Sequence, residues 1–247
     1  MMKMKKMILL LTVLGTTLLI SSCLGEGSRN YAESSVAYIA YDNTTGQTFG
    51  RTLTGKFIIS NEIMLMSPGT FKFLTYSWDE EDGTTPVGEF LADNVQISGD
   101  PVDVGSTSLN MNEGPVQEDP FKFVGIDPPY YANDDEYLDD HWLFQYAYES
   151  RKDEIAEIDF YTMADSGAGA NEVKIDIQLT ITGEPEAGSS VTTKTDIIAL
   201  DMAQLRAMYE GTSQTSTKEL KITFQYYLKN HAEPIDSQIY RLTVAGD

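Results

Sequence analysis

The sequence is poor in cysteine, histidine and positively charged residues. One cysteine and two histidines occur among its 247 residues, which excludes an internal disulfide and a zinc site built on several imidazole rings. Lysine and arginine together number 17, against 38 aspartate and glutamate residues. Because a surface this rich in carboxylates repels phosphate groups, the composition excludes nucleic acid as a natural partner.

Motifs for catalysis are missing as well. His141 and His231 are not accompanied by a nucleophile motif of the Gly-x-Ser-x-Gly type. Glycoside hydrolysis needs a pair of carboxylates, but 38 acidic residues offer so many pairs that the sequence singles out none. We therefore predict that the chain is not an enzyme and has no catalytic residues and no cofactor.

Long apolar runs are absent except at the N-terminus. There, three lysines precede the apolar segment 7–20, and two serines precede Cys23. A basic start, an apolar stretch shorter than the roughly 20 residues of a membrane-spanning helix, and small residues before a cleavage point define a secretory signal. We predict a signal peptide over residues 1–22. The alternative, an uncleaved anchor with an incidental thiol, fits less well with the stretch 25–30, which does not easily continue a helix.

The sole cysteine, placed directly after this segment, resembles the end of the lipobox of bacterial lipoproteins. That resemblance implies that Cys23 is acylated and becomes the first residue of the mature chain. Residues 23–34 are rich in glycine, serine and polar residues and predict a lipidated, flexible spacer. Without the three lysines of the signal, 14 basic residues face 38 acidic ones, a net charge of −24. We expect the lipid to hold an acidic body that stands off the membrane surface.

Period-two alternation of apolar and polar residues dominates the rest of the chain. The clearest case is segment 173–181, in which Val173, Ile175 and Ile177 alternate with Lys174 and Asp176. Such alternation predicts strands with one buried face. The same pattern recurs in segments 142–148 and 220–228, and more weakly in 71–73 and 240–244. We predict an all-β, mainly antiparallel protein.

One short helix interrupts the strands. Asp201 is a candidate N-cap with Gln204 three residues later, and Gly211 ends the segment. The apolar stripe of this helix is predicted to consist of core residues: Met202, Leu205, Met208 and Tyr209.

A polar stretch without periodicity at residues 98–112 predicts a division into two domains. Residues 35–100 have the length and the strand number of a small β-barrel. Residues 101–247 carry the long alternating strands and the helix, which predicts a β-sandwich.

The order of these features resembles the NigD-like lipoproteins of Bacteroidetes. The resemblance implies an OB-like N-terminal barrel, a C-terminal sandwich and lipid anchoring to the outer membrane, but it brings no activity. Whether the protein faces the periplasm or the cell surface stays open, because Glu26 beside Arg29 is not the acidic cluster of surface-exported lipoproteins. The resemblance lies in the lipobox ending at Cys23, the hairpin 71–78, Leu138 with 144–146, the segment 201–206, and segments 220–224 and 240–242.

The loop 127–142 is the densest mixture of aromatic and acidic residues. Aromatic rings offer flat faces to sugars, and neighbouring carboxylates accept hydrogen bonds from hydroxyl groups. The candidate ligand-binding residues are Tyr130, Tyr131, Tyr137, Trp142, Asp134 and Asp135. Two alternatives stay open. The loop is either a solvated acidic segment at the edge of the core or a calcium site, although its spacing matches no defined calcium loop.

Together these features predict a lipoprotein of the cell envelope that is a non-enzymatic binding or accessory protein. Its partner is predicted to be a small molecule, a glycan or another protein, in addition to the membrane that holds the lipid. The alternatives are a structural or assembly lipoprotein that contacts another envelope protein and, third, a glycoside hydrolase.

Overall fold

The computed structural model describes residues 30–132, 135–163, 171–211 and 216–246, with Asp135 and Glu136 described by their backbone alone. A 3-10 turn spans Glu80–Asp82. The helices are α1 (Asn61–Met64), α2 (Asp135–Leu138) and α3 (Ala203–Tyr209). The strands are β1 (Asn30–Asp42), β2 (Gln47–Thr52), β3 (Phe57–Ile59), β4 (Thr70–Asp79), β5 (Thr84–Val87), β6 (Phe90–Asn94), β7 (Gln96–Ile97), β8 (Val102–Ser108), β9 (Gly125–Ile126), β10 (His141–Ser150), β11 (Ile155–Thr162), β12 (Glu172–Thr182), β13 (Thr192–Asp201), β14 (Thr217–Tyr226), β15 (Ile235–Asp236) and β16 (Tyr240–Ala245).

These strands form two sheets. The large sheet has the order β5-β6-β3-β2-β1-β4-β8-β13-β10-β9, with β7 beside β4. The small sheet has the order β11-β12-β14-β15, with β16 also paired to β14. Most pairs are antiparallel, and the parallel ones are β12 with β14, β13 with β8 and β3 with β6. The predicted all-β, mainly antiparallel fold with a short helix is confirmed.

The small sheet packs on β10 and β13 of the large sheet as a sandwich. Phe144 of β10 lies 5.2 Å from Phe160 of β11 and 4.9 Å from Phe224 of β14, measured between ring centroids. The alternating residues of segment 173–181 supply the opposite wall, since Val173, Ile175, Ile177 and Leu179 are all buried. The period-two pattern therefore marks the strands of this core, as expected for sheets with one buried face.

The N-terminal strands do not close into a barrel. The hydrogen-bonded path of the large sheet has two ends, β5 and β9, so the described residues form an open sheet here. Strand β8 lies between β4 and β13 and pairs with both. The large sheet thus combines strands from both sides of residue 100, and the division into domains 35–100 and 101–247 stays a prediction.

Strand β1 is buried on both faces. Val36, Tyr38 and Ala40 pack with Leu143 of β10 and Ala199 of β13. Ala37 and Ile39 pack on the other face with side chains from β3, α1 and β4. Because both faces of the segment 36–40 are covered, it is apolar at every position and shows no alternation for sequence reasoning to detect.

Helix α3 corrects two details of the prediction. The N-cap is Met202 and not Asp201, although the Asp201 carboxylate accepts a hydrogen bond from the Ala203 backbone N–H at 2.8 Å. Met202 and Leu205 are buried as predicted. Met208, however, is 59% exposed, and Arg206 is buried instead. The Arg206 guanidinium enters the core because its Nε–H donates to Asp140 at 2.5 Å, and its Nη1–H donates to the Thr243 carbonyl at 2.7 Å.

In the described ranges, no helix has the length and hydropathy that a membrane crossing requires.

Candidate functional site

The aromatic residues of the predicted ligand loop have different surroundings. Trp142 is only 1% exposed and belongs to the sandwich core. Tyr131 stacks on it at 4.0 Å between ring centroids, with an interplanar angle of 16°. These two rings face each other, so their flat faces serve packing at this position.

Two further tyrosines of the loop lie apart from this stack. Tyr137 donates its hydroxyl proton to the Thr52 carbonyl at 2.7 Å and packs edge-on against Phe57. Tyr130 is 42% exposed, and its backbone exchanges two 2.9 Å hydrogen bonds with Leu143. Of the four predicted aromatic residues, Tyr130 is therefore the one with a largely accessible ring.

The acidic members of the predicted set cannot be placed in the same way. Asp134 lies outside the described residues, and so does the side chain of Asp135. In the part of the chain that the structure covers, no three His, Cys, Asp or Glu side chains are grouped to hold a metal ion. Ligand binding by this loop stays a prediction.

His141 has a structural position at the start of β10. Its Nδ1 lies 2.6 Å from the Asp139 carbonyl oxygen. Because a carbonyl oxygen can only accept a hydrogen bond, Nδ1 carries the proton. The ring packs edge-on against Phe71 at 5.1 Å. Tyr38 donates to the Asp139 carboxylate at 2.8 Å, and burial, with this carboxylate as a further cause, raises the pKa of Tyr38 above its ordinary value. The tyrosine therefore stays a hydrogen-bond donor.

A different site is formed on the outer face of the small sheet. The loop 113–117 crosses this face and lines a cleft of about 340 Å³ together with outward side chains of β12 and β14 and with Thr162 at the end of β11. We call it the outer-face cleft. The strands and the segment that follows β14 line it with Thr162, Asp176, Gln178, Gln225 and Tyr227.

The strand register aligns polar residues under this cleft. Tyr161 of β11 is paired with Asp176 of β12, Asp176 with Gln225 of β14, and Gln225 with Asp236 of β15. Since residues paired across strands point to the same face, the four side chains form one polar row. Gln225 Nε2 donates to Asp236 at 2.9 Å, which connects two members of the row.

Gln178 holds the loop against the sheet. Its amide nitrogen donates to the Pro115 carbonyl at 3.1 Å and to the Asp176 carboxylate at 2.7 Å. The side chain lies on the polar side of β12, yet the residue is 7% exposed because the loop covers it. A buried amide whose N–H groups both have acceptors is well satisfied.

Charge is unevenly distributed along the polar row. The Lys174 ammonium lies 2.8 Å from the Asp236 carboxylate, and its hydrogen bond holds the pKa of Asp236 below the usual range. At the other end, burial raises the pKa of Tyr161, helped by the nearby carboxylates of Asp159 and Asp176. The cation thus compensates one end of the row, and the cleft itself carries Glu113 and Asp176.

Replacing Gly114 by alanine should detach the loop from the sheet. A Cβ at this position would lie 2.7 Å from Gln178 Nε2 and 2.8 Å from the Tyr161 ring, closer than packed side chains allow. We expect faster amide hydrogen exchange in residues 113–117 and a lower melting temperature. Gly105→Ala is the matched control, because a Cβ there meets nothing within 4 Å. Equal exchange in the two variants would show that Gly114 does not hold the loop.

Sequence reasoning missed this cleft. Asp176 and Gln178 belong to the polar half of the alternation in β12, which predicts only that they face away from the core. The loop residues lie about sixty positions earlier, and no local pattern links the two segments. The available signal was Gly114-Pro115 in a stretch without periodicity, which indicates a loop but not what the loop covers.

Comparison with known proteins identifies the fold. No family model matches the chain, and no curated protein matches it. Several solved structures, however, have a similar fold. An uncharacterised protein from Parabacteroides merdae has a TM-score of 0.61 at 12% identity, over 87% of this chain and 100% of that one.

The fold is shared with proteins of Bacteroidetes. A protein of unknown function, DUF1344, from Bacteroides vulgatus matches with a TM-score of 0.54 at 10% identity, over 85% of this chain and 90% of that one. A candidate lipoprotein from Bacteroides fragilis matches with a TM-score of 0.52 at 14% identity, over 86% and 97%. The similar structures also include a NigD-like immunity protein from Bacteroides caccae (TM-score 0.48, 10% identity, over 84% and 91%). A candidate lipoprotein from Bacteroidetes is therefore among the structures that share this fold, and at these identities the likeness concerns the fold alone.

Proposed function

We propose that this chain is a lipid-anchored protein of the cell envelope that binds a small ligand or glycan without transforming it. Cys23 carries the lipid, residues 1–22 direct export, and the β-rich body presents the outer-face cleft. The lipid attaches the protein to the outer membrane, and the acidic body extends from it.

The observation that carries the proposal is the position of Cys23 after a basic and apolar leader. Seven positions later, at Asn30, strand β1 begins. The folded body is thus connected to the acylated residue by a segment with a reach of about 25 Å. The shared fold with a candidate lipoprotein from Bacteroides fragilis supports the same conclusion.

The binding role is supported by the kind of site that the body contains. The outer-face cleft combines amide, carboxylate and hydroxyl groups with a tyrosine, which is a set suited to recognition. His141 donates its Nδ1–H to the Asp139 backbone carbonyl, and its ring packs edge-on against Phe71, contacts that a packed structural histidine makes.

Cys23→Ser should abolish acylation. In cells of a Bacteroidetes host fed an alkyne-labelled fatty acid, we expect the wild-type protein to carry the label and to lack residues 1–22. The serine variant should carry no label and keep its leader, because the thiol that receives the lipid is missing. Intact-protein mass spectrometry measures both properties.

Ser22→Ala is the control for this experiment, since it keeps a small residue before the cysteine. It should be processed and labelled like the wild type. Label on the serine variant, or an unlabelled wild-type protein, would contradict anchoring through Cys23. Protease treatment of intact labelled cells then assigns the membrane face, since a periplasmic body should survive.

A further inference from the structure

We infer that the outer-face cleft binds a neutral, hydroxyl-rich sugar. This sugar is either the end or a short stretch of a glycan chain. The inference rests on the proposed function and names the ligand class of its site. Four observations carry it: the size of the cleft, its supply of hydrogen-bond acceptors, its charge, and the residues at its rim.

The size of the cleft suits a small ligand. Its volume of about 340 Å³ lies at the lower end of the range of roughly 300–1,000 Å³ for small-molecule sites. The strands form a floor, and the loop 113–117 forms one wall that the Gln178–Pro115 hydrogen bond keeps in place. A wall held in this way keeps the site formed in the absence of ligand, which lowers the ordering cost of binding.

The polar groups of the cleft offer mainly acceptors. Gln178 uses its amide nitrogen on Pro115 and Asp176 and so fixes the position of the Asp176 carboxylate in the cleft. Gln225 uses one N–H on Asp236, and its carbonyl oxygen is an acceptor. Asp176 adds a carboxylate, which accepts and does not donate when ionised. A ligand that satisfies several neighbouring acceptors must carry several donors, and adjacent sugar hydroxyls do so.

Charge selects against acidic sugars. The cleft carries the carboxylate of Asp176, and Lys174, the nearby cation of the polar row, is paired with Asp236. The chain as a whole carries a formal charge of −21. Uronic acids and phosphorylated sugars would therefore be repelled, whereas a neutral sugar meets charge-assisted hydrogen bonds without that cost.

Tyr227 and Val116 extend the polar site with apolar surface. Tyr227 lines the cleft beyond Gln225, and Val116 at the rim is almost fully exposed. A tyrosine ring packs against the C–H face of a sugar while its hydroxyl can exchange hydrogen bonds. The combination of amides, a carboxylate and a tyrosine fits a pyranose better than it fits a purely apolar molecule.

Titration of the full-length lipoprotein in detergent micelles with defined oligosaccharides tests this inference. The probes are a neutral hexose series, a uronate series and an amino-sugar series, measured by calorimetry. We expect a member of the neutral series to bind and the uronates not to bind. The double variant Gln225→Ala/Tyr227→Ala should bind at least about tenfold more weakly, since each lost contact is worth about this factor.

The matched control is the double variant Gln145→Ala/Tyr41→Ala, which removes the same two residue types from exposed positions of β10 and β1. It should bind like the wild type. If the cleft double variant fails to fold, two single variants take its place in the test. Tyr227→Phe removes only the hydroxyl group, and Gly114→Ala displaces the wall.

Three results would overturn the inference. In the first, only uronates or only amino sugars bind. In the second, the cleft variants bind with unchanged affinity. In the third, no neutral probe binds. Equal loss of binding in the control variant would be a fourth such result, because the effect would then not be specific to the cleft. Because the acyl group on Cys23 is verified by mass in the same sample, failure of the sugar to bind remains distinct from failure of the lipoprotein assignment.

Discussion

Replacing Arg206 by alanine is expected to lower the free energy of unfolding by about 3–5 kcal/mol. Arg206 and Asp140 form an ion pair at 2.5 Å, with side chains that are 9% and 12% exposed. The same guanidinium donates to the Thr243 carbonyl of β16. Removal of the cation leaves Asp140 as a nearly buried charge and disconnects α3 from β16, so the loss should exceed that of an ordinary surface substitution. Guanidinium denaturation followed by circular dichroism measures it.

Arg241→Ala provides the comparison for Arg206. Arg241 also pairs with a carboxylate, that of Glu219, but both side chains are more than half exposed. An exposed pair contributes about 0–1 kcal/mol, because water solvates and screens both charges. Equal losses in the two alanine variants would contradict the burial argument.

A double variant separates the charge from the packing. Asp140 has a positive φ of 59°, which asparagine tolerates well. Asp140→Asn combined with Arg206→Met removes both charges and keeps much of the volume. We expect this double variant to lose less stability than Arg206→Ala, because it removes both charges of the buried pair together.

Trp142→Ala is the second substitution with a large expected effect, a loss of about 3–5 kcal/mol. The indole stacks on Tyr131 and lies 5.8 Å and 6.0 Å from the rings of Phe224 and Tyr240. Truncation would leave a cavity at the junction of the two sheets, surrounded by rings that cannot move in to fill it. Chemical denaturation with far-UV circular dichroism is again the measurement.

Two further variants serve as comparisons for Trp142→Ala. Trp142→Phe keeps an aromatic ring and should lose less stability than the alanine variant. Tyr130→Ala removes a ring from the same loop region, but that ring is largely exposed, so its loss should stay below about 1 kcal/mol. If Trp142→Ala were as mild as Tyr130→Ala, Trp142 would be a surface residue, as the hypothesis of an aromatic ligand rim required.

Most of the strands that sequence reasoning found have one face on the sandwich core. Segments 173–181, 220–228 and 240–244 alternate because that core touches them from one side, and in segment 142–148 it takes the aromatic residues while Leu143 packs in another cluster. In segment 71–73 the two phenylalanines share a face, yet Phe71 is buried and Phe73 is exposed, so the pattern holds there only for Phe71. Strand β1 escaped notice because two cores cover it.

The resemblance to NigD-like lipoproteins gains a physical explanation at one position. The segment 201–206 ends in an arginine, which a helix of this length would ordinarily present to water. In the structure, Arg206 is the residue that fastens α3 to Asp140 and to β16. Sequence periodicity assigned the inward position to Met208 because it weighs hydrophobicity and does not detect a distant carboxylate.

The sequence by itself determined the charge and the local structure of this protein: the acidic body, the alternating strands and the short helix, while the leader ending at Cys23 stays a prediction. Each of these depends on neighbouring residues, so a local pattern reports it. The tertiary structure decided the open sheet, the buried ion pair of Arg206, the core position of Trp142 and the outer-face cleft. These depend on contacts between segments far apart in the chain, and burial and hydrogen bonding select such contacts only when the whole fold has formed.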